Sequence, residues 1–254
     1  MMPTIPPSPK SISLEDILRR DDTWRGRSHR FDARPALDTG HAALNSALLN
    51  EGWPLGSLTE VCQQGYQGEW QLFMPALLSG ISGLIVLLNP PAEPFAQALI
   101  QAGLDLDRLV IVEAAEKASF LACFTELTRA GACDAILAWQ PKGNLTYTEL
   151  RKCQLSASEG AGLYVMFRPL SVQRQSSPAS LRLSCRMVPD GLEVTVFKQK
   201  GMLQQQQARP VVLARPDEWK KTPPYSGLEH KLRPGKIDGA ASVAANVPNL
   251  RRKS

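Results

Sequence analysis

The side chains that could carry chemistry are few, and most are placed where they cannot act together. Of the three histidines, His41 opens a helical pattern, and His29 and His230 lie in polar segments. None has a carboxylate or cysteine at a spacing that suggests a triad or a metal ligand set. The five cysteines (Cys62, Cys123, Cys133, Cys153, Cys185) are odd in number and contain no CxxC pair. They predict buried apolar thiols in a reducing cytosol rather than a disulfide framework or a zinc site. There is no G-x-S-x-G nucleophile elbow, and Gly56-Ser57-Leu58 is expected to be a turn into a strand. What remains is a glycine-bearing loop, Gln63-Gln64-Gly65-Tyr66-Gln67-Gly68-Glu69-Trp70, which ends in a carboxylate and an indole.

The pattern around that loop alternates. Ala42–Leu49 is predicted helical, Ser57–Cys62 a strand and Trp70–Leu78 a helix. Leu84–Leu88, a run of five aliphatic residues, suits a parallel strand buried on both faces. Helices over Ala92–Gln101, Lys117–Arg129 and Thr148–Glu159 then alternate with strands over Leu109–Val112, Ala135–Ala138 and Leu163–Phe167. Such alternation predicts βαβ units and a mostly parallel, twisted α/β sheet flanked by helices. Leu181–Met187 and Leu192–Lys198 flank Pro189-Asp190-Gly191 and predict an antiparallel hairpin at the C-terminal edge of the sheet. Gln71–Ala92 carries no charge, but Pro75 and Ser79-Gly80-Ile81-Ser82-Gly83 interrupt it, so it reads as helix, turn and strand rather than a membrane span.

Composition frames this body. The chain has 254 residues, 43% hydrophobic and 21% charged, as expected of a globular protein. Its net charge of +5 is unevenly spread: residues 202–254 hold ten Lys/Arg against four Asp/Glu (+6) and residues 1–35 seven against five (+2), which leaves −3 for 36–201. An acidic body argues against whole-domain steering to nucleic acid. Residues 1–35 form an extension in which Ser13 and Asp16 fit a helix start, Leu14, Ile17 and Leu18 share one face, and Trp24 and Phe31 punctuate a basic linker. Residues 202–254, with the run Gln204 to Gln207, read as a basic, unstructured tail. A core of 36–201 lies between. With no apolar signal segment at its start, the protein is expected in the cytoplasm.

Thr39-Gly40, Leu44-Asn45, Gly52-Trp53-Pro54-Leu55-Gly56 and Thr59-Glu60-Val61 match, in order and spacing, the start of the RecA/RadA core, which this part of the chain resembles. The resemblance implies a RecA-like core in which residues 63–70 should read G-x-x-x-x-G-K-[ST]. They do not. Gln63 replaces the first glycine, Glu69 the phosphate-binding lysine and Trp70 the magnesium-binding hydroxyl, with Gly65 and Gly68 retained. A carboxylate where an ammonium should meet phosphate reverses the local charge, and an indole offers magnesium no oxygen. The strand matching the Walker B position ends in Trp139, and Asn89-Pro90-Pro91 follows Leu84–Leu88 where an acidic residue would activate water. These positions together predict a pseudo-ATPase with no nucleotide cofactor, no metal and no catalytic residue.

Leu99–Ala115, Arg129-Ala130-Gly131-Ala132-Cys133-Asp134-Ala135-Ile136-Leu137-Ala138-Trp139, Gly162–Leu170 and Leu192–Met202 narrow the resemblance to the ImuA family of translesion DNA synthesis-associated proteins, over residues 36–202. That resemblance implies a non-catalytic partner in SOS mutagenesis. It would act with ImuB, a Y-family polymerase relative, or with RecA, and indirectly with the error-prone DNA polymerase III alpha subunit. Docking through Leu14, Ile17, Leu18, Trp24 and Phe31, in imitation of a RecA–RecA contact, is the expected mode; a helix folded back on its own domain is the plainer one. The basic tail is a second candidate docking segment and could bind DNA weakly. SulA-type cell-division inhibitors, which bind FtsZ, share the unusable phosphate loop and form the alternative reading.

Overall fold

Runs of β-branched and aliphatic residues with no charge are stable only where both faces are covered, and Ile85–Leu88 and Ala135–Trp139 are buried at every position. They lie inside an eight-stranded sheet. The computed structural model of the protein describes residues 35–65, 68–201 and 209–214. A short antiparallel pair, β1 (Ala36–Leu37) and β2 (Trp53–Pro54), brackets helix α1 (Ala42–Asn45). The chain continues through β3 (Ser57–Gln63), a 3-10 turn over Glu69–Phe73 and α2 (Met74–Ser79). Then come β4 (Ile85–Leu88), α3 (Ala96–Gln101), β5 (Leu109–Val112), α4 (Lys117–Ala130), β6 (Ala135–Trp139), α5 (Tyr147–Ala157) and β7 (Leu163–Pro169). It ends with β8 (Leu181–Val188), β9 (Gly191–Gln199) and β10 (Pro210–Ala214).

The order across the sheet is β10-β9-β8-β3-β7-β6-β4-β5. Strands β8 through β5 in that order are mutually parallel, and β9 runs antiparallel to both β8 and β10. The fold is therefore α/β, with a mostly parallel mixed sheet flanked by helices. Leu44, Trp53, Phe73, Leu87, Trp139 and Phe167 form the core on one face. Leu58, Phe120, Phe124, Leu150, Tyr164 and Met166 form it on the other.

Two expectations require correction. The predicted hairpin exists as β8–β9 but is not the sheet edge, because β10 adds outside β9. Residues 210–214 accordingly do not belong to an unstructured tail: Pro210-Val211-Val212-Leu213-Ala214 is a strand whose Leu213 is buried in the core. Its five-residue length and leading proline hid it among the Gln, Arg and Pro residues on either side. Three predicted helices are also shorter than their patterns. The first ends at Asn45, whose side chain bonds to Asp38 and Thr39 instead of extending the helix. The second opens as a 3-10 turn, and the third starts only after Pro90, Pro91 and Pro94. The segment 71–92 folds as a turn, α2 and the buried β4, and among the described residues no helix is long and apolar enough to cross a membrane.

Candidate site at the carboxyl ends of the strands

In a parallel sheet the carboxyl ends of all strands lie along one edge of the layer, and crevices form where successive connections leave in opposite directions. Here β4 connects outward to β5 while its neighbour β6 connects back toward β7. The loop after β3 lies along the same edge. Gln63, Gly68, Glu69, Trp70, Leu87, the Pro90–Phe95 loop and Trp139 line one cavity of about 210 Å³ there. Gln63, Gln64 and Gly65 line a second, of about 280 Å³, with Pro169, Leu170 and Ser171. The sequence-predicted loop residues Gln63, Gly65, Gly68, Glu69 and Trp70 are thus gathered at these two cavities, and Trp139 joins them. Leu14, Ile17, Leu18, Trp24 and Phe31 lie outside the described residues, as do Tyr66, Gln67 and the tail beyond Ala214.

Each position in the first cavity has a local cause. Gly68 adopts φ 105°, which a side chain would strain, and so swings the chain from β3 into the 3-10 turn. Glu69 is only 3% exposed. Its negative charge helps to push the Cys185 thiol up to about 12, behind the larger effect of burial. Trp70, half-buried, packs its ring on the core. Trp139 is stacked on Phe167 with ring centroids 4.7 Å apart and planes 16° apart, and Phe73 meets Phe167 edge-on at 5.9 Å. The cavity is thus walled by rings, prolines and a carboxylate. Its volume falls below the roughly 300–1,000 Å³ usual for small-molecule sites. The Gln63 side-chain nitrogen is buried at its margin without a hydrogen-bond partner among the described residues.

Asn89, the residue directly after β4, ties two strand ends together. At φ 55° it is one of three non-glycine residues with positive φ among the described residues. Its side-chain Nδ2 donates to the Ala114 carbonyl at 2.6 Å, and its Oδ1 accepts from the Ala114 N–H. The amide therefore acts as a rivet between the β4 and β5 exits, directly before the prolines that wall the cavity.

Sequence reading missed the most highly charged feature of the sheet. Glu60 of β3 is fully buried between Arg168 of β7 and Arg182 of β8, with N–O distances of 2.8 and 2.6 Å. Arg182 is the residue opposite Glu60 in the β3–β8 register, and Arg168 lies two positions beyond the residue opposite it on β7. The guanidinium of Arg168 also donates to Gln140 at 2.7 Å, and that of Arg182 to the Gln175 and Val172 carbonyls while lying 5.0 Å over the Phe197 ring. Lys198 stands opposite Arg182 in β9; burial, helped by repulsion from Arg182, holds its ammonium pKa below the ordinary lysine value. The only signal available beforehand was a lone charge inside two apolar strand patterns, Glu60 and Arg168, and two arginines, Arg182 and Arg186, inside the third.

The Thr39-Gly40 and Leu44-Asn45 signature also acquires a physical role. Asp38 accepts from the Gly40 N–H and the Asn45 side chain, and the Thr39 hydroxyl donates to Asn45 at 2.7 Å. A Cβ on Gly40, at φ 76°, would stand 2.2 Å from the Pro75 side chain, so the glycine lets this knot close onto α2. Among the described residues no three His, Cys, Asp or Glu side chains are grouped as a metal site would require. No protein-family model and no curated protein matches the chain.

Proposed function

We propose that this chain is a non-catalytic, RecA-like accessory protein of DNA-damage-induced translesion synthesis, which acts by docking on an ImuB-like polymerase relative, on RecA, or on both. The motif resemblance supplies the family. The observation that carries the reading is the occupation of the carboxyl-end site: Glu69 is buried where a phosphate-binding lysine would stand, and Trp139 is stacked on Phe167 where a magnesium-binding aspartate would stand. A triphosphate brought there would meet a carboxylate and two indoles, with no cation among the described residues that line the cavity. The protein is a pseudo-ATPase in this reading, and its value to the partner lies in shape. DNA would be held weakly, through basic segments outside the described residues. Calorimetry with ATP and magnesium, followed by titration against RecA (free and on single-stranded DNA), ImuB and FtsZ, tests the proposal. Micromolar binding to RecA or ImuB without ATP binding is expected. Magnesium-dependent ATP binding would overturn the pseudo-ATPase assignment, and binding to FtsZ alone would transfer the protein to the division-inhibitor class.

A further inference from the structure

The two edges of the sheet differ in kind. A sheet edge offers unpaired N–H and C=O groups to any extended chain, and proteins blunt such edges with proline, charge or brevity. The β10 edge is blunted: Arg209 precedes it, Pro210 opens it, and Arg215-Pro216 follows. The β5 edge is not. Leu109-Val110-Ile111-Val112 has no proline, glycine or charge, and Val110 and Ile111, on opposite faces, are 39% and 45% exposed. The Val112 carbonyl accepts from Asn89 on the β4 side. Because backbone groups alternate in direction along a strand, those of Val110 also face β4, and those of Leu109 and Ile111 face outward.

The charges at the ends of this edge are one-sided. Arg108 is turned inward, donating to the Gly83 carbonyl at 3.1 Å and to the Ile81 carbonyl, and Lys117 is paired with Glu149 at 2.9 Å. Asp107 before the strand, and Glu113 and Glu116 after it, are exposed and have no ion-pair partner among the described residues. The edge therefore presents an apolar centre between two acidic ends. Two copies of β5 laid antiparallel would bring acid against acid, which opposes self-pairing.

We propose that the β5 edge is a docking site for an extended segment of a partner polypeptide with a β-branched centre and basic ends, which adds to the sheet as a further strand. Outward groups of Leu109 and Ile111 supply the main-chain bonds, the Val110 and Ile111 side chains pack on alternate residues of the added strand, and Asp107, Glu113 and Glu116 select for lysine or arginine at its ends. This inference stands on the edge alone and does not depend on the RecA-like reading.

The test is amide hydrogen exchange on the full chain, read by NMR at Leu109 and Ile111. The probe is a capped peptide, Lys-Lys-Val-Thr-Val-Thr-Val-Lys-Lys, beside a control with Glu at the four Lys positions. In the free protein these two amides are expected to exchange at least tenfold faster than those of Val110 and Val112. The lysine peptide should slow them at least tenfold and the glutamate peptide should not. Ile111→Lys should abolish that slowing while Val110 and Val112 stay protected, which shows the sheet intact. Asp107→Lys with Glu113→Lys should transfer the response to the glutamate peptide. No slowing by the lysine peptide, or equal slowing by both peptides, would overturn the proposal. Protection in the free chain would overturn it too, in favour of a segment of the same chain if independent of concentration and of a second copy if it grows with concentration.

Discussion

Trp139 lies nearly parallel to Phe167, ring centroids 4.7 Å apart, so that the last residue of β6 and a residue of β7 form one stacked pair beneath the carboxyl-end cavity. At 4% and 1% exposure the two rings are core. Trp139→Ala should therefore cost about 3–5 kcal/mol in urea unfolding, the range for a large aromatic deleted from a core. Trp139→Phe should recover most of that loss. A Trp139→Ala protein of unchanged stability would mean that the indole serves a ligand and not the fold.

Installing the missing cation should not create a nucleotide site. In Glu69→Lys with Trp70→Thr, Trp139 and the Pro90–Phe95 loop still wall the cavity, and no oxygen ligand for magnesium has been placed at Trp139. Calorimetry with ATP and magnesium is expected to give no heat of binding up to millimolar nucleotide. Tight binding by that double variant would show that two side chains alone stood between this scaffold and ATP.

The Arg168–Glu60–Arg182 triad makes a sharper claim on stability. Removing the single carboxylate leaves two guanidinium groups buried side by side, so Glu60→Gln should destabilise by about 3–5 kcal/mol. Replacing all three together with Leu, Met and Leu removes the desolvation cost along with the attraction and should cost less than the single change. Urea midpoints for the two proteins decide it. A mild Glu60→Gln beside a ruinous triple variant would mean that the charges matter less than the shape they fill.

How much of this was legible follows from the range of each interaction. Ile85–Leu88 and Ala135–Trp139 declare themselves because burial on both faces demands a continuous apolar run, and a run is a local pattern. The loop Gln63–Trp70 is legible for the same reason, since its flanking elements are local. Glu60 and Arg168 are 108 residues apart in sequence, and nothing local at either position announces the other. The strand at Pro210–Ala214 becomes regular only because β9 offers it an edge. Ala92–Phe95, part of the cavity wall, reads as the start of a helix, but the structure delays α3 to Ala96, after Pro94.

The cysteines give a pH dependence with a definite sign. Burial, the first cause in each case, pushes the thiols of Cys62 and Cys133 up to about 11 and those of Cys153 and Cys185 up to about 12, against an ordinary 9.0. Above pH 9 the unfolded chain loses these protons while the folded one retains them, so stability is fully present below pH 9 and falls as pH rises through 11–12. Lys198, with a lowered pKa, works in the opposite sense, as one group against four. Urea unfolding at pH 8, 9.5 and 10.5 should show the decline, and Cys153→Ala should flatten it. In native protein at pH 8 a disulfide reagent should modify half-buried Cys123 first and the other four only on unfolding. Rapid native labelling of Cys153 or Cys185 would contradict the burial on which the argument stands.

Asn89 provides the last discriminating test, because its place beside the cavity admits two roles with opposite consequences. If its amide were a substitute for a catalytic acid, Asn89→Asp would restore chemistry at modest cost to the fold. The observed bonds require the reverse. Nδ2 donates to the Ala114 carbonyl while Oδ1 accepts from the Ala114 N–H, and a carboxylate can do only the second. In Asn89→Asp the carbonyl of Ala114, a residue 6% exposed, faces a negative charge in place of a donor, a loss of about 1–3 kcal/mol. Asn89→Gly relieves the positive φ but gives up both bonds, and should be destabilised by a similar amount. Both variants should loosen the Pro90–Phe95 loop, seen as faster amide exchange at Ala92, Glu93 and Phe95, with ATP hydrolysis absent throughout. An Asn89→Asp protein that is as stable as the parent and turns over ATP would refute both the rivet and the pseudo-ATPase in one experiment.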